Sequence, residues 1–159
     1  MTDNKRLVIV GGVAAGMSAA AKVRRSDSSV EVTVFEKGRY VSYGACGLPW
    51  LICGRITAQE DAGDLSKVVC GQMPDENKLI ARTPEAFAKA GIKLHIRHEV
   101  SAIDVARQRV HVRTLEDGAE FDQPYDDLLI ATGASAIRPP IPGIDHARIQ
   151  SLWTVPDAD

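Results

Sequence analysis

Residues 7–36 constrain this chain more than any other stretch. Leu7-Val8-Ile9-Val10 is a short apolar run with β-branched residues, bounded by glycine, and it reads as a buried parallel strand. Gly11-Gly12-Val13-Ala14-Ala15-Gly16 follows, then good helix formers from Met17 to Arg25. Gly16, Ala19, Ala20 and Val23 fall on one helical face, compact enough to let the helix lie close on a sheet. Ser26 to Ser29 read as a turn, and Val30 to Phe35 alternate as a second strand.

Strand, glycine turn, helix and strand is the order in which a dinucleotide site is built. Pyrophosphate rests on unpaired amides at the helix N-terminus, where the dipole favours anions. Glu36 stands 20 residues after Gly16, the separation at which an acidic side chain meets a ribose hydroxyl. One departure from G-x-G-x-x-G is Val13 at the middle glycine. Its branched side chain would limit how closely the backbone approaches phosphate.

Cys46 lies shortly afterwards, in Ser42-Tyr43-Gly44-Ala45-Cys46-Gly47-Leu48-Pro49. Small neighbours leave room for a flat cofactor ring and a sulfur-bearing substrate, and sulfur redox chemistry needs the thiolate. If Ala45 to Leu51 form a helix, Cys46 falls in its first turn, where free amides and the dipole favour that form. Pro49 is tolerated in a first turn. The competing reading is a buried structural cysteine, the common fate of a free one. Gly44 and Gly47 weigh against it, being poor core filling. Cys53 is seven residues on, about 10 Å along a continuous helix and past the roughly 7 Å Cα limit for a disulfide. A C-x-x-x-x-C dithiol would need cysteine where Val41 and Leu51 stand. Cys70 lies in a polar segment, so a single working thiol is the expectation.

The chain has 159 residues, 45% hydrophobic and 25% charged, with net charge −2 and both signs interspersed. That composition fits an ordinary soluble domain or part of a larger protein, with no nucleic-acid or membrane surface. The N-terminus has no long apolar core before its glycines, so no signal peptide is expected, and no run approaches the roughly 20 apolar residues of a membrane span. Three cysteines without framework spacing point to the reducing cytoplasm.

Residues 54–80 lack a period and read as a surface excursion with at most one short helix. Thr83-Pro84-Glu85 opens a helix that Gly91 stops. Strands are expected over Ile92–Arg97, Val100–Asp104 and Val110–Thr114, with an Asp117-Gly118 hairpin returning through Glu120 to Asp122. Leu128 to Ala131 is another buried strand, ending at Thr132-Gly133. Pro139-Pro140-Ile141-Pro142-Gly143 reads as a stiff, extended linker. His95 and His98 mimic a metal motif, but residues three apart on one strand face opposite sides, so no metal site is expected. Asp126-Asp127 reads as a solvated strand start. Arg24-Arg25 suits a helix C-terminus, with a phosphate anchor as the functional alternative.

Val8–Ala21, Phe35–Leu51 and Tyr125–Asp145 together resemble the flavin-dependent pyridine nucleotide–disulfide oxidoreductases. Within these, the chain is most similar to the single-cysteine branch of coenzyme A–disulfide reductases, NADH oxidases and peroxidases, and persulfide reductases. Valine at the position of Val13 is common in the coenzyme A–disulfide and persulfide reductase group. The resemblance implies an α/β, Rossmann-like FAD-binding domain, a parallel sheet with helices plus an antiparallel β-meander. It implies that Gly11, Gly12, Gly16 and Glu36 hold the ADP half of FAD, with Val13, Ala14, Ala15 and Lys37 also among the cofactor-binding residues. Ser42 and Cys46 would lie near the isoalloxazine, with Thr132 and Gly133 lining the flavin site. Arg24 and Arg25 become candidates for substrate phosphates.

The implied reaction passes hydride from NAD(P)H to flavin and electrons onward to a Cys46–sulfur adduct, reducing a small thiol-derived disulfide or persulfide. The alternatives are an oxidase or peroxidase with Cys46 as sulfenic acid, or a non-catalytic flavin-binding module. Family members are more than twice this length, and the chain has no second glycine-turn unit. Residues 1–150 are therefore expected to be the N-terminal part of an incomplete FAD-binding domain. Residues 151–159 would begin a linker toward an NAD(P)H-binding domain outside this chain. The isolated piece is expected to be nearly inactive, and the full-length protein a homodimer.

Overall fold

The computed structural model describes residues 4–52 and 76–158. Cys53, Cys70 and most of the excursion expected over 54–80 lie outside the described residues. The chain divides into two compact units, Met1–Tyr43 with Arg82–Gly133, and Gly44–Ala81 with Ala134–Asp159.

The first unit is built on a four-stranded parallel sheet. Its strands are β1 (Arg6–Val10), β2 (Glu31–Glu36), β3 (Ile92–Ile96) and β7 (Asp127–Ile130), ordered β3-β2-β1-β7. Alternation sends residues of one strand to opposite faces of the sheet. Ile9, Val32, Val34 and Ile92 meet Met17 and Ala20 of helix α1 (Ala14–Ser26) and Phe87 of helix α3 (Pro84–Lys89). Val8 and Phe35 on the other face join Val110, Val112 and Tyr125. That second cluster draws on an antiparallel meander of β4 (His98–Asp104), β5 (Arg109–Thr114) and β6 (Glu120–Pro124), ordered β4-β5-β6. The central strands are thus covered on both sides, which is why they read as apolar runs.

The helix signals hold. Thr83 caps α3, its hydroxyl accepting from the Ala86 amide at 3.4 Å, with Pro84 at the first position. The chain turns at Gly91 with φ +75°. The Asp117-Gly118 hairpin closes β5 onto β6 through Thr114 N–H to Ala119 O, at 2.8 Å. Asp126 and Asp127 do open β7, and they are clasped to β1. Asp126 takes both the backbone amide and the guanidinium of Arg6, and Asp127 pairs with Lys5 at 2.7 Å.

The expectation that His95 and His98 face apart on one strand fails. Arg97 adopts φ +59° between β3 and β4, so the two histidines belong to different strands. Their ring centroids lie 5.2 Å apart.

In the second unit, a 3-10 turn over Ala45–Gly47 leads into helix α2 (Leu48–Ile52). Leu48 and Leu51 are buried, as is Val155 of a 3-10 turn over Val155–Ala158 that packs on α2. The extended linker expected over Pro139–Gly143 is instead a run of tight turns. Ile141 N–H bonds Pro139 O, Ile144 N–H bonds Ile141 O, and His146 N–H bonds Gly143 O. Proline fixes φ without forbidding turns at its neighbours. Among the described residues, no helix is long and apolar enough to cross a membrane.

Candidate functional site

The glycine turn joins β1 to α1 with the sheet edge packed hard against it. Gly11 adopts φ +108°, and a Cβ there would stand 2.2 Å from the carbonyl oxygen of Ala131, just past β7. At Gly16 a Cβ would meet the Gly11 carbonyl oxygen at 1.8 Å. Only glycine allows backbone to pass backbone at these separations. Val13 is the N-cap residue of α1 and makes no side-chain capping bond, and the first turn holds no acidic residue. Ala14 and Ala15 are exposed. The helix therefore begins with amides that no side chain caps, the arrangement that suits an anionic phosphate.

Glu36, at the end of β2, is fixed at the mouth of this turn. One carboxylate oxygen accepts from Gly12 N–H and the other from Gly38 N–H, each at 2.6 Å. Each oxygen has a second lone pair, so the group is oriented yet still able to accept from a hydroxyl. A cleft of about 230 Å³ opens here, lined by Phe35, Glu36, Lys37, His98, Val100 and Thr132 among others. Lys37 pairs with Glu99 at 2.7 Å, and Arg113 bonds the other oxygen at 2.5 Å. These two cations, Lys37 first, hold the Glu99 carboxyl below the ordinary glutamate range.

The residues singled out in the sequence therefore fall as follows. Gly11, Gly12, Val13, Ala14, Ala15, Gly16, Glu36, Lys37, Thr132 and Gly133 all belong to the first unit, and Gly11, Glu36, Lys37 and Thr132 line one cleft. Ser42 is tied to the turn, its amide donating to Gly12 O at 2.9 Å, with φ +51°. Such left-handed backbone in a non-glycine residue is uncommon and concentrates at functional positions.

Arg24 spends its guanidinium on the backbone carbonyls of Ser28, Val30 and Ala90, joining the loop after α1 to the end of α3. Arg25 is exposed and makes no ion pair among the described residues. Sequence reasoning missed Phe35, His98, Glu99 and Val100 as cleft residues. Their signal was three-dimensional: β3 pairs with β2 across 60 residues of chain, and only that pairing carries β4 to the end of β2.

Cys46 belongs to the second unit and is an exposed free thiol. It sits in the 3-10 turn before α2, outside the α-helix proper, and Pro49 takes the first turn of α2. Gly44 N–H bonds Leu79 O and Gly47 N–H bonds Gly44 O, both at 2.9 Å. With Leu48 buried just behind, the turn is pinned at both ends while its thiol stays open.

This donor set fits a flavin dinucleotide: a backbone cradle without Cβ atoms, uncapped amides and a fixed carboxylate acceptor. Residues 5–159 match the sequence profile of the pyridine nucleotide-disulphide oxidoreductases. The chain is 37% identical over 158 residues to an NAD(P)H coenzyme A polysulfide/persulfide reductase of Pyrococcus horikoshii, covering 97% of this chain and 30% of that protein. It is 35% identical over 134 residues to a coenzyme A disulfide reductase of Staphylococcus epidermidis, covering 84% of this chain and 27% of that protein. The solved structure of a water-forming NADH oxidase from Lactobacillus brevis, bound to NADH, superposes with a TM-score of 0.80 at 27% identity. That match covers 97% of this chain and 30% of the oxidase. The chain thus spans about 30% of the length of such relatives.

Proposed function

The chain belongs to the pyridine nucleotide-disulphide oxidoreductase family, and from that premise we propose that it supplies the FAD site and the working thiol of an NAD(P)H-dependent reductase of small disulfides or persulfides. Coenzyme A species are the substrate class. The observation that carries this reading is Cys46, an exposed thiol on a short turn between Gly44 and Gly47. It stands in a chain whose relatives are named for reducing sulfur species bound to coenzyme A.

FAD, when bound, supplies a route for the electron pair of NAD(P)H to reach sulfur. Gly11 to Gly16 hold its pyrophosphate through backbone amides, Glu36 accepts from a ribose hydroxyl, and Lys37, Ser42, Thr132 and Gly133 complete the site. The Cys46 thiolate attacks one sulfur of the substrate disulfide, whose S–S bond breaks as the other sulfur leaves as a thiolate with the bonding pair. Cys46 is then a mixed disulfide. An electron pair and one proton delivered to that bond free the second thiol and restore the Cys46 thiolate. Arg25, and Arg24 to the extent that its carbonyl partners release it, anchor the phosphates of the substrate.

The first half-reaction tests the proposal within this chain. Reduced protein is mixed with coenzyme A disulfide, then examined by intact mass and peptide mapping. One coenzyme A moiety on Cys46, absent in Cys46→Ser, is expected. No adduct, or equal labelling of Cys46→Ser, defeats the assignment. A second reading is favoured by the similarity to the oxidase: Cys46 as a sulfenate formed by peroxide. Peroxide converting Cys46 faster than coenzyme A disulfide does would favour it.

A further inference from the structure

The turn that carries Cys46 leans on its neighbours. Gly47 N–H bonds Gly44 O and Leu48 N–H bonds Ala45 O, after which α2 runs for five residues. A helix that short is not stable by itself in water, so what packs on it fixes its place. Within the same unit, the 3-10 turn over Val155–Ala158 packs on α2, and Val155 is buried as Leu48 and Leu51 are. That turn is itself fastened by one carboxylate. Thr154 stands just before it and Asp157 is its third residue, the spacing of a capping box. Asp157 Oδ2 accepts from Thr154 N–H at 2.6 Å, Thr154 Oγ1 at 2.9 Å and Trp153 N–H at 3.0 Å. The Thr154 amide, ahead of the Thr154 hydroxyl and the Trp153 amide, holds this carboxyl below the ordinary aspartate range. The acceptor is therefore ionised at neutral pH, and its bonds are of the stronger, charge-assisted kind.

The chemistry above gives Asp157 no task. Leu48 is two residues from Cys46, so a displacement of α2 carries the sulfur with it. Attack on a disulfide needs the attacking sulfur in line with the bond that breaks, and a misplacement of about 1 Å can cost on the order of a hundredfold in rate. We propose that Asp157 is a positioning residue for Cys46: by fastening the Val155 turn against α2, it sets the line along which the thiolate meets the substrate disulfide. Its action runs through Val155 and Leu48 rather than through contact with substrate. This rests on the Cys46 reading above and adds a residue to it.

The test reacts the reduced chain with coenzyme A disulfide and, separately, with iodoacetamide, and follows each adduct on Cys46 by peptide mass. Asp157→Ala is expected to form the coenzyme A adduct about tenfold more slowly, while the rate with iodoacetamide, which is small and approaches from any side, changes by less than about twofold. Asp157→Asn keeps an acceptor for the Thr154 amide and should recover most of the rate. A lowered melting temperature with both rates unchanged, or with both slowed by the same factor, overturns the inference, leaving Asp157 a structural role only. So does Asp157→Asn as slow as Asp157→Ala. If Asp157→Ala does not fold, Thr154→Val removes the hydroxyl bond alone: a loss of about threefold with coenzyme A disulfide is expected, and no loss overturns the inference. Unchanged rates in the variants leave the Cys46 reading standing, whereas no adduct in the unsubstituted chain overturns both.

Discussion

At Gly16 there is no space for any side chain. The atom that a Cβ would meet at 1.8 Å is the Gly11 carbonyl oxygen, part of the backbone and unable to rotate away. Gly16→Ala is expected to cost about 3 kcal/mol, the upper range for forced overpacking, and to abolish dinucleotide binding. A denaturant midpoint unchanged from the parent chain would contradict this. The same geometry answers the concern raised by Val13. The close approaches are made at Gly11 and Gly16, whereas Val13 is half-buried and serves as the N-cap. Spacing in the sequence located the turn correctly, but which of its residues must be glycine depends on the chain that packs behind it, and Ala131 stands 120 residues away.

Among the elements, those with a local cause were legible and those made by distant pairing were not. Thr83, Pro84 and Gly91 bracket α3 through capping and turn chemistry contained in nine residues. Thr83→Ala should cost about 1 kcal/mol, read as a lowered melting temperature; no change would mean that Thr83 caps nothing. The His95–His98 stack depends on one left-handed residue, Arg97, whose backbone bonds Gly38 O and Leu115 N–H. Nothing in the residue types between 92 and 98 signals that break. Cys46 was placed one turn too far into a helix because 3-10 and α starts share the same sequence signals.

The clasp between β1 and β7 carries a pH signature. Hydrogen bonds from the Arg6 guanidinium, then from its backbone amide, lower the Asp126 carboxyl to about 2. A carboxylate depressed in the folded state stabilises it above the unfolded value of about 3.9. That contribution fades as pH falls toward 2. The melting temperature should therefore decline across this window with a shallower slope in Asp126→Asn. Identical slopes would remove Asp126 from the account.

At the scale of the molecule, the order of elements was readable and its consequence followed. Alternation in Val8 to Val10 and Val32 to Phe35 assigns one face to α1 and α3 and the other to the meander. The cleft at the end of β2 arises where the two layers meet. Half of it was visible as glycines plus Glu36; the half from β4 was not, since no local pattern ties residue 98 to residue 36. The central claim is that this cleft holds a flavin dinucleotide. Its most direct test is the visible spectrum of the purified chain, mixed with FAD and then desalted, beside Glu36→Gln treated identically. Flavin bands retained by the chain and strongly reduced in Glu36→Gln are expected. A colourless parent chain, or equal retention by both proteins, would contradict the claim.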